Sequence, residues 1–151
     1  MTRQRTPRQA WIQAGMEALG DGGPAAVRVE ELARRLGVTK GGFYGYFDGR
    51  EQLLAEVLDS WEREAANAVI EEAETAGGPD AADRLHALTR SVQARIGLRQ
   101  TELAVRDWAR RDDGAAERIR RVDRARMEYL YRLFLEATGD PDEAAARAAP
   151  R

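Results

Sequence analysis

The amino-acid sequence predicts an all-α protein, in which an N-terminal three-helix head of the helix-turn-helix type, residues 1–49, precedes a helical C-terminal body, residues 50–151. Apolar residues recur at spacings of three and four along most of the chain, which is the period of an amphipathic helix. Glycine, proline and potential capping residues separate these segments. No sustained alternation of apolar and polar residues lies between turn signals, so no β-strand is predicted.

Length and composition exclude several classes of protein. The 151 residues are 43% hydrophobic, which suits one domain, or two small ones that share a core. Cysteine is absent, so disulfides, thiolate metal sites and cysteine nucleophiles are excluded. No apolar run approaches the length of a membrane span, and the basic N-terminus lacks the apolar segment of a secretory signal. These features predict a cytoplasmic protein that does not bind membranes.

The first helix is predicted over residues 8–20, and its inward face is formed by Trp11, Ile12, Met16 and Leu19. The Gly- and Pro-containing stretch over residues 20–24 ends it. Before the helix lies a polar segment with Arg3 and Arg5, and these side chains, together with Arg8, are able to reach phosphates or a minor groove. A solvated tail is the alternative.

Two short helices joined by a tight turn follow. Val29, Leu32, Ala33 and Leu36 recur at i, i+3, i+4 and i+7, which predicts a helix from about Arg28 to Leu36. Gly37 lies where a helix ends in the left-handed conformation. Thr39 is then expected to cap a third helix from Lys40 to about Tyr46, with Phe43 and Phe47 pointing into the core. This pattern is typical of a helix-turn-helix domain that contacts DNA.

In the body, helical periodicity predicts two long helices and three shorter ones. Breaks are indicated by Gly77-Gly78-Pro79, by Gly139 and by Asp140-Pro141, the last pair as an N-cap and first helical residue. The predicted helices cover residues 50–76, 80 or 83 to 97, 101–111, 114–138 and 141–149. Their predicted inward faces include Leu54, Val57, Leu58, Trp61, Ala65, Ala68, Val69, Leu85, Leu88, Val92, Ile96, Leu103, Ala104, Trp108, Ile119, Val122, Leu130, Leu133 and Phe134.

The stretch ELARRLGVTKGGFYGYF, with GREQLL after it, resembles the signature of the TetR-type transcriptional regulators. The residues that match the family pattern are Leu32, Ala33, Gly37, Val38, Thr39, Gly41, Phe43, Tyr44, Tyr46, Phe47, Arg50 and Leu53. The resemblance is close over about residues 8–60 and only architectural beyond. The chain departs from the pattern at Arg28, where the family often has a capping Ser or Thr, at Tyr46 in place of His, and at Arg50 in place of Lys.

The resemblance implies a DNA-binding surface. Its residues are Arg28, Thr39, Lys40, Gly41, Gly42, Tyr44, Tyr46 and Arg50. The third helix would enter the major groove, where the two glycines allow a close approach of the backbone. The distribution of charge agrees with this: the first 50 residues carry eight Lys and Arg against five Asp and Glu, and the remaining residues carry sixteen against twenty-one. A mere scatter of charges is the alternative.

The resemblance further implies a repressor that binds a palindromic operator in double-stranded DNA as a homodimer and is relieved by a small-molecule effector. The effector pocket would be lined by Trp61, Trp108, Met127, Tyr129, Tyr131 and Phe134. Plain helix core is the alternative for these aromatic residues. The family's last two long helices are not expected, because the segment after Pro141 stops almost at once, so the dimer interface is expected to be weakened. An alternative function is a truncated helical interaction module that pairs with a full-length relative without binding DNA itself.

The sequence offers no catalytic constellation. His86 is the single histidine, which leaves a Ser-His-Asp triad or a multi-histidine metal site little to work with. Pairs such as Asp112-Asp113 are adjacent in sequence and therefore do not share a helix face. No catalytic residue, metal ligand or cofactor is predicted, and the protein is not expected to be an enzyme.

Overall fold

The computed structural model describes residues 6–68, 70, 71, 74, 80–94 and 96–149, and every regular element within these ranges is helical, which confirms the all-α prediction. No helix there is both long and apolar enough to cross a membrane. The elements are α1 (Arg8–Gly22), a 3-10 turn (Pro24–Ala26), α2 (Val29–Leu36), α3 (Gly41–Tyr44), α4 (Arg50–Glu62), a π-helical segment (Arg63–Ala68), α5 (Ala81–Ala94), α6 (Ile96–Ala109), α7 (Asp113–Thr138) and α8 (Pro141–Ala148).

The chain forms two compact units. The first contains the chain up to Trp61 together with Gly97–Ala116, and the second contains Glu62–Ile96 and Glu117–Arg151. Most of α6 therefore packs with the helix-turn-helix segment. A Cβ atom on Gly20 would lie 3.0 Å from Thr101 Oγ1, so the missing side chain lets α1 and α6 approach closely. The predicted division into a DNA-binding domain over residues 1–49 and a body over residues 50–151 stays a prediction.

An aromatic and aliphatic core holds the first unit together. Trp11 is fully buried, and its ring meets Phe43 edge-on, with centroids 5.5 Å apart. Phe43 in turn stacks on Phe47 at 4.9 Å. A Cβ atom on Gly15 would lie 2.8 Å from Val57 Cγ2, so glycine permits close packing of α1 on α4. The predicted inward face of α1 is confirmed, because Ile12, Met16 and Leu19 are also buried.

In the second unit, Tyr129 and Leu133 of α7 pack with Ala81 of α5 in a buried cluster. Burial raises the pKa of the Tyr129 hydroxyl to about 12. At the other end of α7, Glu62 accepts hydrogen bonds from Arg121 Nε at 2.6 Å and from Arg118 Nη1 at 3.1 Å. The Arg121 bond is the main reason that the pKa of Glu62 lies below its usual range.

The prediction of a single long helix over residues 50–76 is wrong in one respect. The α-helix α4 ends at Glu62, and a π-helical segment follows. The segment REAANA contains neither Gly nor Pro, so no local signal marks the change. A tertiary contact coincides with the π-helical segment: Arg126 Nε of α7 donates to Ala65 O at 3.2 Å. The predicted break at residues 77–79, the inward placement of Val69, and the side chains of Ala68, Leu88, Val92 and Ile96 lie outside the described residues.

Helix α6 also differs from the prediction, since it begins at Ile96 rather than at Thr101. No glycine or proline lies between Leu98 and Thr101 to stop it. Its buried face is Thr101 and Val105, whereas Leu103, predicted to point inward, is 62% exposed. The helix therefore presents Thr101 to Gly20 of α1. At the C-terminal end the predictions hold: Gly139 has φ +70°, and Asp140 Oδ1 accepts from the backbone N–H of Asp142 at 2.9 Å.

Candidate nucleic-acid interface

The turn between α2 and α3 has the geometry that its sequence predicts. Gly37 adopts the left-handed conformation, with φ 66° and ψ 32°. Its N–H donates to Arg34 O at 3.2 Å, and the N–H of Val38 donates to Ala33 O at 3.0 Å. These two bonds form the Schellman motif, which satisfies the last carbonyls of α2 and turns the chain toward α3.

An ion-pair cluster lies on the outer surface of the same motif, on α2. Glu31 accepts from Arg34 Nη2 at 2.6 Å and from Arg35 Nε at 3.3 Å. The hydrogen bond from Arg34 is the main cause that lowers the pKa of Glu31 to about 2. Arg35 also reaches Asp21 near the end of α1, with 3.2 Å between Nη1 and Oδ2. The cluster therefore links side chains within α2 and also joins α2 to the end of α1.

Helix α3 begins one residue later than predicted, and the role expected of Thr39 is wrong. Lys40 occupies the N-cap position with nearly helical dihedral angles, φ −66° and ψ −16°, and no side chain caps the helix there. The first turn is closed by backbone bonds instead, of which the bond from Phe43 N to Lys40 O measures 3.1 Å. Phe43 is fully buried and anchors this short helix to the core.

Seven of the eight residues predicted for a DNA-binding surface lie on α3, within two residues of its ends, or at the start of α2. Tyr44 is 58% exposed, and the Lys40 side chain is 62% exposed with its Nζ 3.9 Å from Glu30 Oε1. Gly42 and Tyr46 are partly buried. Thr39, Gly41 and Arg28 are exposed. Arg28 is the N-cap residue of α2 and supplies no side-chain cap, as expected from the absence of Ser or Thr there.

The two glycines of α3 leave space on its surface. A Cβ atom on Gly41 would have Thr39 Oγ1 as its nearest neighbour, at 3.8 Å. On Gly42 it would lie 3.8 Å from Trp11 Cζ2. Both distances are ordinary van der Waals contacts, so the fold itself does not require glycine at either position. Gly42 faces the buried Trp11, whereas Gly41 is exposed, and its backbone can approach another molecule closely.

Arg50, the eighth predicted residue, is engaged within the protein. Its Nε donates to Val27 O at 2.7 Å and its Nη2 donates to Pro24 O at 2.5 Å. Its Nη1 lies 3.5 Å from Glu51 Oε1. The side chain is 37% exposed. The sequence pattern did not signal these backbone contacts, because the acceptors lie more than twenty positions away.

Arg8, predicted to be able to reach phosphates, is also engaged within the fold. It lies in the first turn of α1, forms an ion pair with Glu56 of α4, and places its guanidinium 4.7 Å from the centre of the Phe47 ring. Its guanidinium is therefore shared between α4 and the aromatic core. The predicted phosphate contacts of Arg3 and Arg5 lie outside the described residues.

A positioning contact that sequence reasoning missed fixes the start of α4. The Gln52 side chain accepts from the backbone N–H of Asp48 at 2.7 Å. The bond resembles half of a capping box, but it reaches the residue before Gly49, the N-cap position of α4, so the capping-box spacing would not have identified it.

The six residues predicted to line an effector pocket are divided between the two units. Trp61 is fully buried in the first unit, and Trp108 lines a cleft of about 610 Å³ in that same unit. The second unit contains the other four: Tyr129 is buried, Met127 is 40% exposed, and Tyr131 and Phe134 are partly buried. The cleft lies among Asp21, Gly22, Gly23, Pro24, Ala25, Arg50, Glu51, Leu54, Ala104, Asp107, Trp108, Arg111 and Asp112. The predicted pocket stays a prediction.

Comparison with known proteins identifies the N-terminal segment. Residues 12–57 match the family described as bacterial regulatory proteins, tetR family. Curated proteins gave no significant match. Among solved structures, the fold is similar to that of a transcriptional regulator from Rhodococcus sp. Rha1, with a TM-score of 0.75 and 24% identity over 95% of this chain and 76% of that one.

Two further structures carry the family name. One, of a Rhodococcus protein assigned to the TetR family, has a TM-score of 0.65 and 26% identity over 92% of this chain and 79% of that one. The other, of a TetR/AcrR-family transcriptional regulator from Thermobifida fusca, has a TM-score of 0.59 and 27% identity over 93% and 79%. The resemblance found in the sequence is confirmed, and it indicates a DNA-binding transcriptional regulator.

Proposed function

We propose that this TetR-type chain binds a palindromic operator in double-stranded DNA as a homodimer and regulates transcription there. The observation that carries the proposal is the surface of α3, where a buried Phe43 anchors a short helix whose Thr39, Lys40, Gly41 and Tyr44 face solvent. A short helix fixed on its inner side and polar on its outer side is the form in which helix-turn-helix proteins contact a major groove.

The proposal assigns the residues of this surface to contacts in the major groove or to contacts with phosphates. Lys40 and Tyr44 reach base edges or phosphates in the major groove, and Gly41 and Gly42 let the backbone approach. Thr39, Tyr44 and Tyr46 donate to phosphates on either side, and Arg28 at the start of α2 adds a further phosphate contact. Phosphate contacts supply most of the affinity and orient the head, whereas contacts to base edges supply specificity.

Two heads related by a twofold axis would occupy successive major grooves, ~34–36 Å apart. The operator is therefore expected to be palindromic, with half-sites separated by about one helical turn. Insertion of about five base pairs between the half-sites places them on opposite faces of the duplex and should abolish binding by one dimer. An operator selected from a random duplex library supplies the sequence for this test.

Fluorescence anisotropy with the selected duplex over a range of salt concentrations tests the proposal. With about four to six phosphate contacts per dimer, log K against log[salt] is expected to slope at roughly −4 to −5. Lys40→Met should weaken binding and reduce the slope, and Arg124→Met, an exposed arginine of α7 in the second unit, serves as the charge-matched control. Absence of salt-dependent binding to any duplex would favour the helical interaction module instead.

A small-molecule effector that relieves repression is the second part of the proposal. The cleft beside Trp108 supports it, because a volume of about 610 Å³ lies within the range of ligand pockets. The lining contains four carboxylates against two guanidinium groups, and three of the carboxylates already pair with arginines: Asp21 with Arg35, Glu51 with Arg50, and Asp107 with Arg111. The remaining excess of carboxylate favours an organic cation, and the indole of Trp108 favours one with an aromatic ring.

Tryptophan fluorescence in the absence of DNA tests the cleft. A cationic acridine dye is expected to quench the emission at lower concentration than an anionic naphthalenesulfonate of similar size. Trp108→Phe should remove most of this quenching, because Trp11 and Trp61 are fully buried and give the residual signal. Equal quenching of the wild type and of Trp108→Phe would place the dye elsewhere.

A further inference from the structure

Arg50 joins the two ends of the helix-turn-helix segment. Its Nε donates to Val27 O at 2.7 Å, and its Nη2 donates to Pro24 O at 2.5 Å. Val27 precedes α2 by two positions, and Arg50 is the first residue of α4. The contact with Val27 therefore spans 23 positions, and within them lie α2, the turn and α3.

The segment that Arg50 contacts is fixed otherwise by local backbone bonds and by the burial of Val27. Pro24–Ala26 is a single 3-10 turn, closed by the bond from Val27 N to Pro24 O at 3.1 Å. Val27 is fully buried, and its carbonyl lies outside any helix, so it needs a donor from elsewhere in the chain. The N-cap residue of α2, Arg28, makes no side-chain capping bond. Arg50 therefore fixes the backbone immediately before α2 through its carbonyl groups, whereas a capping side chain would bind the free N–H groups of the helix itself.

We propose that Arg50 is a positioning residue for DNA recognition, which fixes the start of α2 and thereby the presentation of α3, rather than a phosphate contact. This inference rests on the proposed DNA binding. The three nitrogens of its guanidinium already face protein oxygens, two on the backbone and one on Glu51 at 3.5 Å. Movement of Arg50 toward a phosphate would leave the carbonyls of Pro24 and Val27 without their charged donor.

The choice of Arg over Lys at this position follows from the geometry. The guanidinium offers Nε–H and Nη2–H on one rigid edge, so it can donate to two different carbonyls at once. A lysine ammonium is a single point charge on a flexible stem and does not reproduce that pair of bonds. A phosphate contact, in contrast, would be preserved largely by Lys, because both side chains carry the same charge.

Arg50→Lys and Arg50→Met, measured on the selected duplex over a range of salt concentrations, separate the two roles. For a positioning residue, both variants weaken binding by about tenfold at fixed salt, the loss that one charge-assisted hydrogen bond corresponds to, and neither changes the salt slope. Lys40→Met provides the reference for a lost phosphate or groove contact. Glu17→Gln, at an exposed position of α1 outside the cleft and the proposed DNA surface, is the control and should behave as the wild type.

Wild-type affinity in Arg50→Lys, combined with a salt slope reduced by about one per head in Arg50→Met, would overturn the proposal and assign Arg50 to phosphate. Unchanged affinity and slope in both variants would show that Arg50 only stabilises the fold. All affinities are measured at a temperature at which circular dichroism shows each variant fully folded. Loss of folding in Arg50→Met leaves Arg50→Lys as the deciding variant.

Hydrogen–deuterium exchange on the DNA-free protein gives an independent readout. The backbone amides of residues 25–32 should exchange faster in both Arg50 variants than in Glu17→Gln, while the amides of the buried part of α1 remain unchanged. Unchanged exchange over residues 25–32 would overturn the positioning role even if DNA binding is lost. Failure of the wild type to bind any duplex would instead refute the proposed function, whatever the exchange of these amides.

Discussion

The indole of Trp11 meets the phenyl ring of Phe43 edge-on, with centroids 5.5 Å apart and ring planes at 68°. Both side chains are fully buried. Trp11 belongs to α1 and Phe43 to α3, so this contact joins the first helix directly to the helix proposed to enter the groove. Edge-to-face pairs of this kind add stability beyond the area that they bury.

Trp11→Ala is expected to lower the free energy of unfolding by about 3–5 kcal/mol, because it removes a large buried side chain and leaves a cavity against Phe43. Trp11→Phe should cost less, since the buried indole Nε1 has no hydrogen-bond partner to lose. Urea denaturation followed by circular dichroism measures both. Tyr44→Ala, at a 58% exposed position, is the control and should change the midpoint little. Equal midpoints for the wild type and Trp11→Ala would contradict the assigned role of α1.

Gly41→Ala is expected to weaken DNA binding without harming the fold. The added methyl group would meet its nearest neighbour, Thr39 Oγ1, at 3.8 Å on an exposed surface. Alanine favours a helix by up to ~1 kcal/mol over glycine, so the free protein should melt at the same temperature or higher. In the complex the methyl group would stand between the backbone of α3 and the groove. Anisotropy and thermal melts test the two parts, and unchanged affinity would show that the α3 backbone does not approach DNA closely.

Lys40 should be protected from amine-reactive labelling by the cognate duplex. It is the single lysine in the sequence, so only its ammonium and the N-terminal amine can react. In the free protein its side chain is 62% exposed, with Nζ 3.9 Å from Glu30, and labelling should be fast. A non-cognate duplex at moderate salt should protect it much less. Mass spectrometry measures the rates, and equal rates with and without bound DNA would remove Lys40 from the interface.

Glu31 should give α2 a dependence on acid pH. The hydrogen bond from Arg34, assisted by Arg35, lowers its pKa from an ordinary value near 4.5 to about 2 in the folded protein. Because the folded pKa lies below the unfolded one, the stabilisation is fully present above about pH 4.5 and is lost as the pH falls toward 2. Carboxyl NMR titration measures the pKa directly. Glu31→Gln should reduce the difference between melts at pH 5 and pH 3, and a titration midpoint near 4.5 would contradict the ion pair.

The sequence by itself determined the helix-turn-helix motif and much of its proposed DNA-binding surface. Gly37 predicts the turn between α2 and α3 because that turn depends on only a few neighbouring residues. The φ of Gly37 is +66°, as expected. The four-residue spacing of Phe43 and Phe47 predicts that both side chains point into the core, because residues four apart share a helix face. Both are buried. The exposure of Lys40 and Tyr44 follows from the same periodicity. Each of these features depends on stereochemistry within about one or two helical turns.

Only the tertiary structure decided the partners of the long side chains and the rotation of the later helices. Arg50 matches a family position by sequence, yet its hydrogen bonds go to carbonyls 23 and 26 positions away. Arg8 pairs with Glu56 across 48 positions. Thr101, rather than Leu103, is buried because Gly20 leaves room for it against α1. Such choices depend on which elements pack together, and a local pattern of apolar and charged residues fixes a helix face without fixing the partner that covers it.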